Sequence, residues 1–386
     1  MTRRTVVILQ HRLLHYRVQL FERLRQACAD RGIDLELVHG QASPREVAKR
    51  DEGRLPWAHA VHNRFLAFGE RDLLWQPLPA TLQTADLLVV MQENRIVSNY
   101  LRMLSCRLRG RRVAYWGHGK NFQSEAPDGL REQWKNLLLR QVDWWFTYTD
   151  LSVSVIQAAG YPVARITSLE NAIDTTGFLA DLHSCRDEEV VQARSALGIS
   201  AQASVGLFCG SLYPEKKLSL MVDAACRIQR RLPQFHLLVI GDGPSMPELQ
   251  AAAAQHPWIH ILGIRKGRDK ALHFRMAQIM FNPGLVGLHI VDAFCAGLVI
   301  ATTATALHSP EIAYLRPDDN GILADSDNPE VYAQAVLDVL MAPDRLAAMR
   351  TASLRDSGRY TLDNMVQRFV NGIEQALAAA PLGSSR

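Results

Sequence analysis

Short apolar runs alternate along the chain with stretches in which apolar positions recur every three or four residues. In the first half, runs at 5–10, 34–39, 86–91, 112–116, 144–148 and 165–169 predict strands. In the second half, those at 204–209, 235–240, 258–262, 279–282 and 298–302 do the same. Most are nearly continuously apolar, which marks strands buried on both faces of a parallel sheet. Helix-period segments lie between them. One sets Val18, Phe21, Leu24 and Cys28 on a single face, and another sets Leu218, Met221, Val222, Ala225 and Leu232 in a stripe. A later helix is predicted to start at Asn328-Pro329-Glu330, a cap residue followed by proline. Two series of alternating strand and helix predict two doubly wound α/β domains, joined at the polar stretch 183–189. Ligands of open parallel sheets sit beyond the carboxyl ends of the strands, so functional loops are expected there.

The length of 386 residues suits two domains of roughly 100–200 residues each. With 48% apolar and 21% charged residues, the chain is neither disordered, collagen-like nor a coiled coil. No run approaches the roughly 18 apolar residues of a membrane span. The apolar run at 6–9 is too short for a signal-peptide core. Cysteines at 28, 106, 185, 209, 226 and 295 form no CxxC pair, which argues against a zinc knuckle or redox pair and fits a reducing cytoplasm. The net charge of +4 is lopsided. Residues 1–180 carry 24 Lys/Arg against 18 Asp/Glu, and the remainder carries 19 against 21, so the halves are expected to meet different partners. Arginines at 102, 107, 109, 111 and 112 read as a solvated helix face. Without interleaved aromatics or a recognisable module they do not indicate a nucleic-acid partner, while attraction to an anionic membrane surface stays open.

Three segments of the second half carry chemistry. Gly-Ser-Leu-Tyr-Pro-Glu-Lys-Lys, 210–217, follows a strand and opens a helix. Its glycine lets backbone approach a ligand, the helix start offers free N–H groups, and Lys216 adds a full charge, which together suit a phosphate; a solvated Lys-Lys pair is the plain alternative. Gly-Asp-Gly-Pro, 241–244, follows the next strand and by itself reads as a β-turn. Asn-Pro-Gly-Leu-Val-Gly-Leu-His-Ile-Val-Asp-Ala-Phe-Cys-Ala-Gly, 282–297, ends a strand, passes through a glycine-containing loop and enters a helix near His289. Asp292 falls in its first turns, where an acid suits the dipole and ribose hydroxyls could be held. Glu311, in His-Ser-Pro-Glu-Ile-Ala, reads alone as a surface acid.

Taken together, these loops resemble the donor domain of retaining glycosyltransferases of family 4. The family pattern runs Gly-Arg-Leu-x-x-x-Lys-Gly, Gly-x-Gly-Pro, Glu-x7-Glu-Ala-x-Ala-x-Gly and a Glu-Ile segment ending in Asn-Gly. Order and spacing match, and Asn-Ala-Ile-Asp at 171–174 with Phe178 resembles a segment before that family's interdomain link. The likeness is good from 168 to about 323. Four positions depart from it. Ser211 stands for the arginine, Lys217 for the following glycine, where it could partly replace the lost charge, and Gly284 and Asp292 for the paired acids. The loss of the first acid puts sugar recognition in doubt. Backbone N–H groups around 286–289 are expected to hold the sugar instead, with His289 either helping or facing solvent.

The resemblance implies a GT-B fold, two Rossmann-like domains facing a central cleft. The acceptor-binding domain is expected over 1–182 plus 359–380, with a terminal helix crossing back. The donor domain would span 186–358 and a disordered tail 381–386. Lys216, His118 and Asp292 are the expected catalytic residues. Donor contacts fall to Gly210, Ser211, Lys217, Gly241, Gly243, Ile264, Gly284, Gly287, Leu288, His289 and Glu311. Acceptor contacts fall to His11, Arg12, Tyr16, Glu93, Lys120 and Asn121, on loops that follow strands of the first half. His118 sits between two glycines in Tyr-Trp-Gly-His-Gly-Lys at such a strand end.

The implied reaction moves a hexose-type sugar from a nucleoside-diphosphate sugar to a hydroxyl of a glycan or lipid-linked acceptor, with retention. Lysine supplies the positive charge, so no cofactor and no metal is expected. The expected place is the cytoplasm, with peripheral docking at the inner face of the membrane. A sugar-nucleotide epimerase or phosphorylase on the same fold and a non-catalytic partner protein are the alternatives.

Overall fold

The computed structural model describes residues 3–43, 51–68, 71–119 and 139–382. Its strands in the first half are β1 (Arg4–Gln10), β2 (Ile33–His39), β3 (His59–Ala60), β4 (Arg64–Phe68), β5 (Arg71–Trp75), β6 (Leu87–Met91), β7 (Arg112–Gly117), β8 (Trp144–Thr147) and β9 (Ile166–Ser168). In the second half they are β10 (Val205–Cys209), β11 (His236–Ile240), β12 (Ile259–Gly263), β13 (Ile279–Phe281), β14 (Val299–Thr303) and β15 (Gly321–Ala324). The parallel sheets run β3-β2-β1-β6-β7-β8-β9 and β12-β11-β10-β13-β14-β15. Each order reverses beside its first strand. The switch points lie between β1 and β6 and between β10 and β13, where ligand crevices are expected beyond the strand ends.

Continuous apolar runs follow from two-sided burial. In β1, Val6 and Ile8 enter the core beneath helix Val18–Ala29, while Val7 and Leu9 enter the opposite one with Tyr115 and Trp145. In β10, Val205 and Leu207 face one core and Phe208 the other. All are essentially solvent-free. Each such large side chain contributes about 1.5–3 kcal/mol by leaving water. Asn328 caps helix Pro329–Leu340 by accepting from the Glu330 amide at 2.9 Å.

Four strands differ from the reading of the runs. β3 and β15 join the sheets, and β4 and β5 form a separate antiparallel hairpin. Their runs are short, and β4 and β5 are bounded by arginines, so their apolar signal is weak.

The chain divides into two compact units, residues 1–174 with 362–386 and residues 175–361. The first boundary therefore falls at 174/175, ahead of the polar stretch at 183–189. Helix Thr176–Ser184 belongs to the second unit because Phe178 packs edge-on against Phe274 at 5.1 Å. Tyr360 also stays in that unit, stacked on Tyr314 at 3.8 Å. Helix Leu362–Ala378 belongs to the first, where Phe369 lies 5.1 Å from Trp116 and 4.6 Å from Phe146.

Two polar expectations are corrected. The tail reading fails for 381–382: the Leu382 amide donates to Asp143 at 2.6 Å, and Arg112 and Arg165 hold the carbonyls of Ala379 and Ala380. Residues 383–386 lie outside the described residues. The arginine run is not simply solvated. Arg102, on helix Ser98–Leu108, bonds the Gln76 carbonyl and Arg111 bonds the Gln83 carbonyl, so both hold neighbouring loops.

Candidate active site

Beyond β10 the chain passes through Gly210 into a 3-10 turn, Pro214–Lys216, and then helix Leu218–Arg231. The 241–245 loop lies directly on it. The Leu212 amide donates to the Asp242 carbonyl and the Ser245 amide to the Leu212 carbonyl, both at 3.0 Å. A Cβ at Gly241, whose φ is +145°, would collide with the Gly210 carbonyl. The Gly-Asp-Gly-Pro segment is therefore a close backbone approach between loops, which is more than a turn requires.

The 282–289 segment, beyond β13, interlocks with the same loop. The Leu285 amide donates to the Glu215 carbonyl at 3.0 Å, and Lys216 Nζ donates to the Leu285 carbonyl at 2.5 Å. A Cβ at Gly284 would strike the Glu215 carbonyl and the Lys216 backbone. The space a larger residue would need is occupied by the main chain of the 210–217 loop. His308 fixes the segment from the other side. Its Nε2 donates to the Thr303 carbonyl at 2.7 Å, which leaves Nδ1 to accept from the Val286 amide at 3.2 Å. The expectation of free backbone donors is thus corrected at Val286. Among the described residues, the amides of Gly287, Leu288 and His289 take no backbone acceptor.

Lys216 is half-buried, and that burial pulls its pKa down to about 8. Lys217 adopts a left-handed φ of +51° and turns away: its Nζ binds both oxygens of Asp327, at 2.6 and 2.7 Å, and Thr305 at 3.1 Å. It is thus engaged by a neighbouring carboxylate, which corrects the idea that it replaces the missing arginine. Ser211 is exposed, and Gly210, Gly241 and Gly243 are half-buried. His289 has a shielded Nε2 without a hydrogen-bond partner. Burial, then Lys216, Lys270 and His308, push its pKa well below the usual histidine value. Glu311 is buried, not a surface acid, and Ile264 is exposed in the loop after β12.

Asp292, in helix His289–Cys295, accepts from Lys270 Nζ at 2.7 Å. Nothing in the sequence signalled this partner, because the two residues sit on different helices. Burial opposes the Lys270 charge, yet Asp292 outweighs it and the pKa is raised.

In the first unit, side chains crowd the ends of β1, β6 and β7. His11 Nδ1 lies 3.2 Å from Glu93, Arg95 lies 3.2 Å from His11 Nε2, and Arg95 Nε donates to Glu93 at 2.7 Å. Burial opposes the Glu93 charge, but His11 and Arg95 hold its pKa down at about 2. His118 packs against Tyr148 at 4.2 Å; burial, then the Arg17 charge, lower its pKa to about 4. Arg17, which the sequence did not single out, lies over the rings of Tyr16, Trp116 and Tyr148 at 5.2–5.7 Å. Arg12 is buried and bonded to Asp51 at 2.5 Å, so its guanidinium is not open to a ligand. A groove of about 630 Å³ lies nearby, lined by Leu13, His39, Gln41 and Arg54 among others. Lys120 and Asn121 lie outside the described residues.

Residues 203–342 match the family described as Glycosyl transferases group 1. Over 246 residues the chain is 25% identical to a D-inositol 3-phosphate glycosyltransferase of Thermobispora bispora, covering 58% of this chain and 54% of the relative. It is 27% identical over 123 residues to an alpha-monoglucosyldiacylglycerol synthase of Acholeplasma laidlawii, 30% of this chain and 31% of that one. The chain thus spans about half, or less, of the length of these relatives. Its fold is similar to that of Anabaena Alr3699/HepE, solved in complex with UDP, with a TM-score of 0.69 and 13% identity over 96% of this chain and 99% of that one.

Proposed function

Starting from a chain of GT-B fold whose residues 203–342 match the glycosyl transferases group 1 family, we propose that this protein is a retaining hexosyltransferase. It takes a nucleoside-diphosphate sugar as donor and a hydroxyl of a glycan or lipid-linked molecule as acceptor, in surface polysaccharide or glycolipid synthesis. The observation that carries this reading is Lys216, whose ammonium is held at the Leu285 carbonyl where the three backbone loops interlock.

Lys216 stabilises the charge that develops on the leaving β-phosphate, a preorganised electrostatic role in a partly desolvated site. The amides of 287–289 and the glycine-built loops 210–211 and 241–243 accommodate the diphosphate and sugar by main chain. Asp292 accepts from ribose, and the loop at Ile264 runs along the base. Retention follows from front-face attack by the acceptor without a protein nucleophile, and lysine serves in place of a metal. Binding of UDP, GDP and ADP tests the reading. The matching nucleotide should stabilise the fold by about 2.7 kcal/mol at a hundredfold excess over Kd. If none of the three stabilises it, the donor site is wrongly assigned.

His11, Glu93, Tyr16 and His118 are assigned to the acceptor. Helix Ser98–Leu108 supports a lipid-linked one. Leu101, Leu104 and Leu108 share one face at 56%, 53% and 78% exposure, with Arg107 and Arg109 exposed beside them. An apolar stripe edged by cations suits the inner face of an anionic cytoplasmic membrane. Phosphatidylglycerol vesicles should then co-sediment with the protein and phosphatidylcholine vesicles should not. The Leu104→Glu/Leu108→Glu double variant should remain in solution with both.

Gly284 favours a second reading, a nucleotide-binding partner without transfer, because no carboxylate stands at that position. Nucleotide binding with no sugar transfer to any acceptor would support it.

A further inference from the structure

Lys270 belongs to none of the glycine loops, yet it is enclosed as if its position mattered. It lies on helix Gly267–Met276 with its Nζ 4.6 Å from the centre of the Phe178 ring and 5.2 Å from that of Phe274. These rings come from helix Thr176–Ser184 and from its own helix. The remaining side is closed by Asp292 Oδ2 at 2.7 Å, from a third helix. Both members of the pair are largely withdrawn from solvent, with side-chain exposures of 22% and 15%. Cation–ring contacts and a short charge-assisted bond leave the ammonium little freedom to swing.

We propose that Lys270 is a positioning residue for the nucleotide: by holding Oδ2 of Asp292 it presents Oδ1 to a ribose hydroxyl. The proposal rests on the reading of Asp292 as the ribose acceptor. An aspartate carboxylate has only a broad, roughly two-fold preference about its last torsion. An aspartate side chain is short, so its reach is small and its orientation counts for more. Anchoring one oxygen fixes the plane of the carboxylate and directs the other. The same ammonium also balances a negative charge that would otherwise repel the diphosphate. A plain tie between three helices would use the same bond, but it would not affect how ribose hydroxyls are recognised.

The test measures Kd by calorimetry for UDP, 2′-deoxy-UDP and 3′-deoxy-UDP, with the matching series for GDP or ADP if either binds more tightly. Wild type should prefer the ribonucleotide over at least one deoxy form by on the order of tenfold, the worth of a hydrogen bond to a charged group. Asp292→Asn should abolish that preference. Lys270→Met should reduce it to within about twofold while binding of the deoxy form changes little, and Lys270→Arg should restore it. Lys270→Met in the Asp292→Asn background should add nothing further to the preference. Should Lys270→Met not fold, Lys270→Gln supplies the same comparison. If the wild-type preference survives in Lys270→Met, or in Lys270→Gln, even with a lowered melting midpoint, Lys270 is a structural tie and the proposal falls. A wild-type preference that Asp292→Asn leaves intact removes the ribose role of Asp292 and the proposal with it. Failure of every nucleoside diphosphate to bind overturns the donor-site reading itself.

Discussion

Beyond β10 and β13 the loops meet through main chain, whereas beyond β1 and β6 they meet through charged side chains. Gly241 and Gly284 sit where a Cβ would strike backbone, and amide-to-carbonyl bonds of 3.0 Å join the 210–217, 241–245 and 282–289 loops. In the other unit, His11, Glu93 and Arg95 form a cluster from side chains alone. Main-chain contacts tolerate change at many side chains but almost none at the glycines. A side-chain cluster is the reverse: it can be retuned residue by residue. A surface of the first kind suits a chemically constant group such as a diphosphate, and one of the second kind suits a variable acceptor.

The largest expected effect falls on the Lys216 ammonium, which the main-chain site holds at the Leu285 carbonyl. Lys216→Ala should lower the rate of sugar transfer by about a hundredfold to a thousandfold, the range for losing a preorganised transition-state donor. A steady-state assay in which this variant retains wild-type kcat would remove the assigned role. Next comes Gly284→Ala. The new methyl meets the Glu215 carbonyl and the Lys216 backbone, neither of which can rotate aside, so overpacking should cost about 1–3 kcal/mol in denaturant unfolding. An unchanged midpoint would show that the loops are less tightly locked than described.

The side-chain cluster should respond to acid instead. The Glu93 pKa is depressed to about 2 against the ordinary 4.5, so its contribution is present above pH 4.5 and lost as pH falls towards 2. Glu93→Gln should remove about 2–3 kcal/mol of stability at pH 7, and the gap to wild type should close by pH 2. A gap independent of pH would contradict the cluster. The smallest effect is expected at Lys217. Replacing it by glycine relieves a left-handed φ, worth about 1–2 kcal/mol, and breaks an exposed pair with Asp327 worth about 0–1 kcal/mol. The variant should melt at or slightly above the wild-type temperature, and a drop of several degrees would reverse the ranking.

The same contrast explains what could be read from the sequence. Eleven strands were legible because two-sided burial leaves apolar runs such as Val6–Leu9, and the glycine loops were legible because main-chain approach requires glycine at fixed spacing. β3 and β15 were not, being only two and four residues long, nor was the β4–β5 hairpin, whose strands each begin with arginine. Partners were the least legible. Lys217 finds Asp327 110 residues away and Lys270 finds Asp292 22 residues away, and nothing local to either residue encodes those meetings. The shift of the boundary to 174/175 depended on Phe178 packing on Phe274, again a contact between distant segments.

The direct test of the account is the pH dependence of nucleoside-diphosphate affinity in wild type and Lys216→Ala. Burial holds the empty-site Lys216 pKa at about 8, and a bound anion favours its charged form. Affinity should therefore be nearly full at pH 7 and below and fall by about tenfold between pH 7 and pH 9 in wild type, as the protonated fraction declines. Lys216→Ala should bind more weakly and show a flat profile over that range. Parallel profiles for the two proteins would show that Lys216 does not hold the diphosphate.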